Sequence, residues 1–270
     1  MDADRQLSFD LVASAYDEEF THTAIGRRQR ERVYHFLQQS LSNSPLRILE
    51  INAGSGEDAV WLAQRGHHVT ATDASPKMIS LAAGKSKVNA VENRITCRLC
   101  DFDDLSAVFN EQQFDVIFSD FGGLNCASGD ELEKLSVDFS KLLKPDGIFI
   151  AVIMTRKCLW ERIYFLWKGK PAEAFRRNAT GEVVAPVGTA QVPAWYYAPA
   201  EFAKLFSEQF EITYNRPIGL FIPPSYLNPF FEKRKWLLNV LTRFEKWFSF
   251  SFMSNYADHF FIRFQKRSAE

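Results

Sequence analysis

Glu50 and Asp73 each close an apolar run, and two glycines lie between them in "ILEINAGSGEDAVWLAQRGHHVTATD", residues 48–73. Gly54 and Gly56 fall where a strand must turn into a helix. Glycine there lets the backbone bend sharply and lets a ligand approach without meeting a Cβ. Backbone N–H groups at the start of the following helix favour a carboxylate or phosphate. A carboxylate ending the second run, Asp73, can accept hydrogen bonds from both hydroxyls of a ribose. The expected ligand therefore joins a ribose to an anionic tail, and two cofactors have those parts. "GSGEDA" fits the loose dinucleotide pattern G-x-G-x-x-G/A, with Asp73 at about the right distance. Glu50, directly before the turn, would repel a pyrophosphate but suits a cation. S-adenosylmethionine (SAM) carries a sulfonium and an ammonium beside its carboxylate.

Holding these side chains requires an alternating α/β framework. "LRILEIN", "HVTATD", "RITCRLCD", "FDVIFSD" and "DGIFIAVIM" read as strands, separated by the helices "GEDAVWLAQRG", "SPKMISLAAGKSKV" and "DELEKLSVDFSKLL". Ser75 and Pro76 supply an N-cap and a first helical position. Apolar strands alternating with helices imply a parallel sheet covered on both faces, with ligands at the carboxyl ends of the strands. Residues 1–44 read as helical, with Val33, Phe36, Leu37 and Leu41 on one face. Residues 45–155 form the core, and 156–198 are expected as an insertion over the carboxyl edge of the sheet. Residues 199–270 complete the sheet through "FEITYN" and "DHFFIRFQK", with the long basic amphipathic helix "FFEKRKWLLNVLTRFEKWF" between them.

"EINAGSG", "TATDAS", "CRLCDFDDL", "FDVIFSDFGGLN" and "LLKPDGIFIAVI", in this order and spacing, resemble the motifs of the class I SAM-dependent methyltransferases. "ASAYDEEF" with "GRRQRERV" resembles the lid of the small-molecule members, and "YADHFFIRF" their last strand. The resemblance implies a Rossmann-like, doubly wound, seven-stranded, mostly parallel sheet with an antiparallel last strand and an amino-terminal helical lid. It implies SAM as cofactor, and Glu50, Asn52, Ala53, Gly54 and Gly56 flanking its methionine part. Asp73 and Ala74 would meet the ribose, Met78 the adenine ring, and Asp101 and Phe102 the adenine edge. Ser119 and Asp120 would border the cofactor at the fourth strand. Tyr16 and Arg30 would close over it, with Arg30 pairing with the cofactor carboxylate. Asn52 stands where the family's first glycine is usual, a departure expected to alter the loop or loosen contact near the methionine end.

Methyl transfer from a sulfonium requires alignment of a nucleophile and exclusion of water, with a base where the acceptor is a hydroxyl or a protonated amine. The sequence singles out no base: Asp120, Asn125, Tyr196 and Tyr197 are candidates by location, and His22 reads as a surface residue. His67 and His68 belong to the opposite sheet edge, and His259 reads as structural. Phe121, Asn125, Trp195, Tyr196 and Tyr197 are the expected substrate contacts, suited to an apolar or aromatic small molecule. Leu237, Val240, Leu241, Phe244 and Phe248 of the long helix are expected to pack on the domain itself; lying on a membrane is the alternative.

A net charge of −1 over 270 residues gives no global attraction to nucleic acid. Cys97 and Cys100 have half a zinc site's spacing, yet lie on a strand where residues three apart face opposite ways, so no metal is expected. Free thiols fit a reducing cytoplasm, and "MDADRQLSFD" lacks a signal peptide's apolar stretch. The chain is expected as a monomer or dimer. Two other classes remain: a SAM-binding protein without catalysis, and a nicotinamide-dependent reductase, suggested by Tyr164 and Lys168 at Y-x-x-x-K spacing.

Overall fold

The computed structural model describes residues 10, 13, 16–110, 113–187 and 190–267. Five parallel strands, β1 (Arg47–Glu50), β2 (His68–Asp73), β3 (Ile95–Leu99), β4 (Phe114–Ser119) and β5 (Leu143–Met154), follow the expected runs. β6 (Val183–Val187) and β7 (Ala190–Ala194) form a separate hairpin, and β8 (Phe210–Ile218) and β9 (His259–Lys266) complete the main sheet. Its order is β3-β2-β1-β4-β5-β9-β8, with β9 antiparallel to both its neighbours. The chain winds outward from β1 through β2 to β3, then returns to place β4 on the other side of β1. That reversal opens a crevice at the carboxyl ends of β1 and β4, where such sheets bind ligands.

The α-helices of five or more residues among the described residues are α1 (Ala24–Ser40), α2 (Glu57–Gln64), α3 (Pro76–Val88), α4 (Gly129–Leu142), α5 (Leu159–Trp167), α6 (Pro199–Leu205), α7 (Asn228–Glu232) and α8 (Lys235–Trp247). Ser75 caps α3, its hydroxyl accepting from Met78 N at 3.1 Å. In α4 the Ser128 hydroxyl accepts from Glu131 N, and the Glu131 carboxylate accepts from Ser128 N at 2.7 Å.

Alternation along β5 divides the core between the two sheet faces. Phe149, Ala151 and Ile153 join one cluster; Ile148, Ile150 and Val152 join the other. On the first face Phe139, Phe149, Phe202, Phe206, Phe210 and Phe264 interlock at ring separations such as 5.0 Å for Phe149–Phe206. The chain has 25 phenylalanines, and these interlocked ones are core, each buried ring contributing about 1.5–3 kcal/mol of transfer free energy. Cys97 packs against one cluster and Cys100 belongs to the other, the opposite facing expected of strand residues three apart. All four cysteines are free thiols.

The long carboxy-terminal helix divides into α7 and α8, because Arg234 at φ −131° and ψ 51° leaves the helical region. Its expected apolar face also divides. Leu237 and Leu241 pack inward, whereas Val240, Phe244 and Phe248 are exposed. No helix among the described residues is long and apolar enough to cross a membrane.

Candidate functional site

A cavity of about 370 Å³ lies at the crevice between β1 and β4. It is built first from the glycine turn. Asn52 follows β1 with φ 49°, a left-handed conformation that asparagine tolerates better than most residues. Its side-chain oxygen accepts from the Ser119 hydroxyl at 2.9 Å, and its amide donates to the Asp120 carbonyl at 3.3 Å. The departure from glycine therefore ties the β1 turn to the end of β4. This arrangement requires Gly123, where a Cβ would lie 2.0 Å from the Asn52 amide nitrogen. Gly54 (φ 54°) faces open space, so a ligand can approach its backbone, while Gly56 packs against Ala82 of α3.

Asp73 forms the opposite lip. Its carboxylate accepts from Gly54 N and from Ser75 N, each at 2.9 Å, and it lines the cavity with Ala74 and Met78. Burial raises its pKa, while these amide donors oppose the rise. Asp101 and Phe102 line the adjoining wall, with Phe102 N donating to the Asp101 carboxylate at 2.5 Å.

Behind the turn, Glu50, Asp58 and Asp120 are all buried. Arg30 ion-pairs with Asp58 and lies 3.6 Å from Asp120. Among the described residues, Glu50 Oε2, Asp58 Oδ1 and Asp120 Oδ2 meet no hydrogen-bond donor in bonding geometry. Desolvation, with the charge of Asp58 added, holds the Glu50 and Asp120 carboxyls well above their usual range; Arg30 only partly opposes this. A cationic ligand group beside these acids would favour their ionised forms, whereas a pyrophosphate would add like charge to them.

The expected residues do not all reach the cavity. Tyr16, Asn52, Gly54, Asp73, Ala74 and Met78 line it, as do Asp101, Phe102, Asp120, Phe121 and Tyr196. Glu50, Ala53, Gly56 and Ser119 stand behind that wall. Arg30 points to Asp58 and Asp120, and its guanidinium lies 5.0 Å from the Phe121 ring; its partners are protein carboxylates, not an open ligand position. Tyr16, its hydroxyl pushed up to about 12 by burial, lines the wall beside Phe20, whose ring packs edge-on against Phe121 at 4.9 Å. The expected lid residues 1–9, 11, 12, 14 and 15 lie outside the described residues.

Asn125 serves as a latch. Its amide nitrogen donates to the Trp195 carbonyl at 2.6 Å and to Met154 O, and its oxygen accepts from Met154 N at 2.8 Å. The Tyr197 hydroxyl is turned inward, donating to Ala127 O at 2.7 Å. Trp195 packs against the core. These three anchor the insertion to the sheet, leaving Tyr196 as its aromatic contribution to the cavity.

His259 occupies the cavity wall, a place the sequence reading did not give it. It opens β9 and pairs with Met154 at the end of β5, so antiparallel pairing delivers it to the ligand edge. Its Nδ1 is buried 3.4 Å from Asp258 Oδ2 without hydrogen-bonding geometry to any described residue, and its ring stands edge-on to Phe121 at 5.4 Å. The other Asp258 oxygen accepts from Arg177 Nη2 at 2.9 Å, and Arg177 in turn pairs with Glu161 at 2.7 Å. Desolvation would raise the Asp258 pKa, but His259 and Arg177 outweigh it and hold the carboxyl far below its usual range.

Among the described residues no cluster of histidine, cysteine or acids could hold a metal ion. Tyr164 and Lys168, the pair suggestive of a reductase, lie outside the cavity, with the lysine Nζ 4.5 Å from the tyrosine ring centroid.

Residues 48–147 match the family model described as "Methyltransferase domain". The chain is 31% identical over 131 residues to an uncharacterized methyltransferase of Synechocystis sp., covering 48% of this chain and 58% of that protein. It is 32% identical over 142 residues to a demethylmenaquinone methyltransferase of Clavibacter sepedonicus, covering 52% of this chain and 53% of that protein. It thus spans little more than half the length of these relatives. Among solved structures, the CcbJ methyltransferase of Streptomyces caelestis superposes with a TM-score of 0.62 at 16% identity, covering 100% of both chains. The N-methyltransferase NodS of Bradyrhizobium japonicum, solved with S-adenosyl-L-homocysteine, superposes with a TM-score of 0.59 at 14% identity, covering 97% of this chain and 98% of that one. At such identities the superpositions establish the fold.

Proposed function

We propose that this chain, which belongs to the class I SAM-dependent methyltransferases, holds SAM at the glycine turn and methylates an oxygen or nitrogen of a small acceptor in the adjoining cavity. The observation that carries this reading is the cluster of buried acids Glu50, Asp58 and Asp120 around the Arg30 guanidinium, beside the Asp73 carboxylate on the cavity wall. When bound, SAM supplies a methyl group already activated by its cationic sulfur. Asp73 offers hydrogen-bond acceptance to the ribose hydroxyls, and Gly54 gives close backbone access. Asp120 on the cavity wall and Glu50, outside its lining, would be drawn to their ionised forms by a bound cation.

The protein's remaining tasks are alignment, dehydration and proton removal. Phe20, Phe121 and Tyr196 supply aromatic walls that exclude water. His259 Nε2 is the group placed to accept an acceptor's proton, with Asp258 beside Nδ1 to steady the ring and the charge it gains. Such a base suits a hydroxyl or an ammonium acceptor. The aromatic walls suit an apolar or aromatic acceptor of the general kind named by the demethylmenaquinone methyltransferase relative.

Transfer of label from methyl-labelled SAM to a panel of phenols, hydroxyquinones and amines tests the reading. Labelled product with at least one of these classes, abolished by S-adenosylhomocysteine, is expected. Saturable SAM binding without transfer to any member would contradict it in favour of a cofactor-binding protein without catalysis.

A further inference from the structure

The outer surface of α8 has an apolar stripe that the protein's own packing covers only in part, Phe244 meeting the Phe221 ring at 5.9 Å. Trp236, Val240, Phe244 and Trp247 follow helical spacing along one side. The two tryptophans are 69% and 70% exposed. The helix cannot roll to hide them. On its inner side Leu238 is buried in a small cluster with Ile25, Ile222, Leu227 and Phe231. Two turns further on, the buried Glu245 carboxylate accepts from four successive backbone N–H groups, Gly219 to Ile222, at 2.6 to 3.3 Å. These contacts fix the stripe outward.

α5 rests on the same small cluster through Trp160 and Tyr164, so both helices border it. Its outward residues are also apolar: Ile163 is 64% exposed and Trp167 83%. Tyr226 packs its ring against Tyr164 at 5.6 Å and also lines the cavity, joining this surface to the cavity rim. Lys233, Arg234, Lys235, Arg243 and Lys246 are exposed on and beside α8, although the whole chain has a net charge of −1.

Exposed tryptophans bordered by lysine and arginine match the requirements of a lipid–water interface: rings at the headgroup boundary and cations on anionic phosphates. A second copy of the chain would bring one cationic rim against another, which like-charge repulsion disfavours. We propose that the outward faces of α5 and α8 dock on an anionic bilayer surface, with α8 lying in the interface and the Tyr226 side of the cavity turned toward the lipid. This inference goes beyond methyl transfer and does not depend on it.

Sedimentation of the full chain with large unilamellar vesicles tests it, comparing phosphatidylcholine containing about one-third phosphatidylglycerol with phosphatidylcholine alone. The expected result is binding to the anionic vesicles at low salt, with a blue shift of tryptophan emission and release as salt is raised. Trp236→Ser with Trp247→Ser should weaken partitioning by about tenfold or more, and Arg243→Ala or Lys246→Ala by about fivefold each. All should keep the wild-type melting temperature, since these side chains are exposed. Trp167→Ser on α5 is the substitute if the double variant does not fold. A chain that stays in the supernatant, or tryptophan variants that bind like wild type, would overturn the proposal. So would a concentration-dependent dimer abolished by the same substitutions, which would assign the surface to a second copy.

Discussion

Asp73 is the side chain to which the proposed function assigns the ribose. Both its oxygens already accept backbone N–H bonds while its carboxylate borders the cavity, so it is fixed before any ligand arrives. Asp73→Ala should weaken SAM binding by about 1.5–3 kcal/mol for each lost charged hydrogen bond, or roughly ten- to a hundredfold in Kd per bond. Calorimetry giving unchanged affinity would contradict the assignment. His259→Asn should lower kcat by roughly 10²- to 10⁴-fold while leaving affinity for S-adenosylhomocysteine intact; equal losses in both would make the histidine structural. The raised pKa of Glu50 has a sign that can be tested. In the free protein, burial favours the protonated carboxyl, and a bound cation favours the carboxylate. Binding should therefore release protons, and affinity should rise with pH through the free protein's raised pKa and fall below it. Titrations in two buffers of different ionisation heat read that release, which Glu50→Gln should diminish. Identical heats after correction for dilution would contradict the account.

The elements differ in how far the sequence alone reveals them. The run from Glu50 through Gly54 and Gly56 to Asp73 is legible because one β-turn-α-β unit, continuous in the chain, brings these residues together. His259 and Arg177 are not legible in that way. Pairing of β9 with β5 sets His259 beside Met154, and the insertion places Arg177 against Asp258. A signal was nevertheless present: an antiparallel last strand begins where its parallel neighbours end, so the Asp258–His259 pair at its start belongs to the ligand edge. Asn125, Trp195 and Tyr197 lie in the right region by sequence, but their hydrogen bonds and packing are spent on fastening the insertion. Asn52 looks like a defect until β4 is in place, when it becomes the tie to Ser119 and Asp120. That tie predicts a paired effect. Gly123→Ala should cost about 1–3 kcal/mol by colliding with the Asn52 amide, and adding Asn52→Gly should restore most of the loss. Denaturant unfolding of the two variants measures it, and a neutral Gly123→Ala would show that the loop accommodates the methyl.

Across the whole molecule, the alternating apolar strands and helices fix the sheet order and place the crevice between β1 and β4, while the phenylalanine-rich face packs over the β5–β9–β8 half. The carboxy-terminal third was the least legible. Its apolar residues serve two surfaces, one buried against the core and one exposed along α5 and α8, and periodicity alone does not say which side is covered. The central claim is that the cavity selects a cationic, ribose-bearing donor over a pyrophosphate-bearing one. Calorimetric titration of the purified chain with SAM and with NADH, side by side at neutral pH, tests it most directly. Saturable binding of SAM, competed by S-adenosylhomocysteine, is expected, with no heat from NADH. NADH saturating the cavity, or SAM producing no binding, would contradict it.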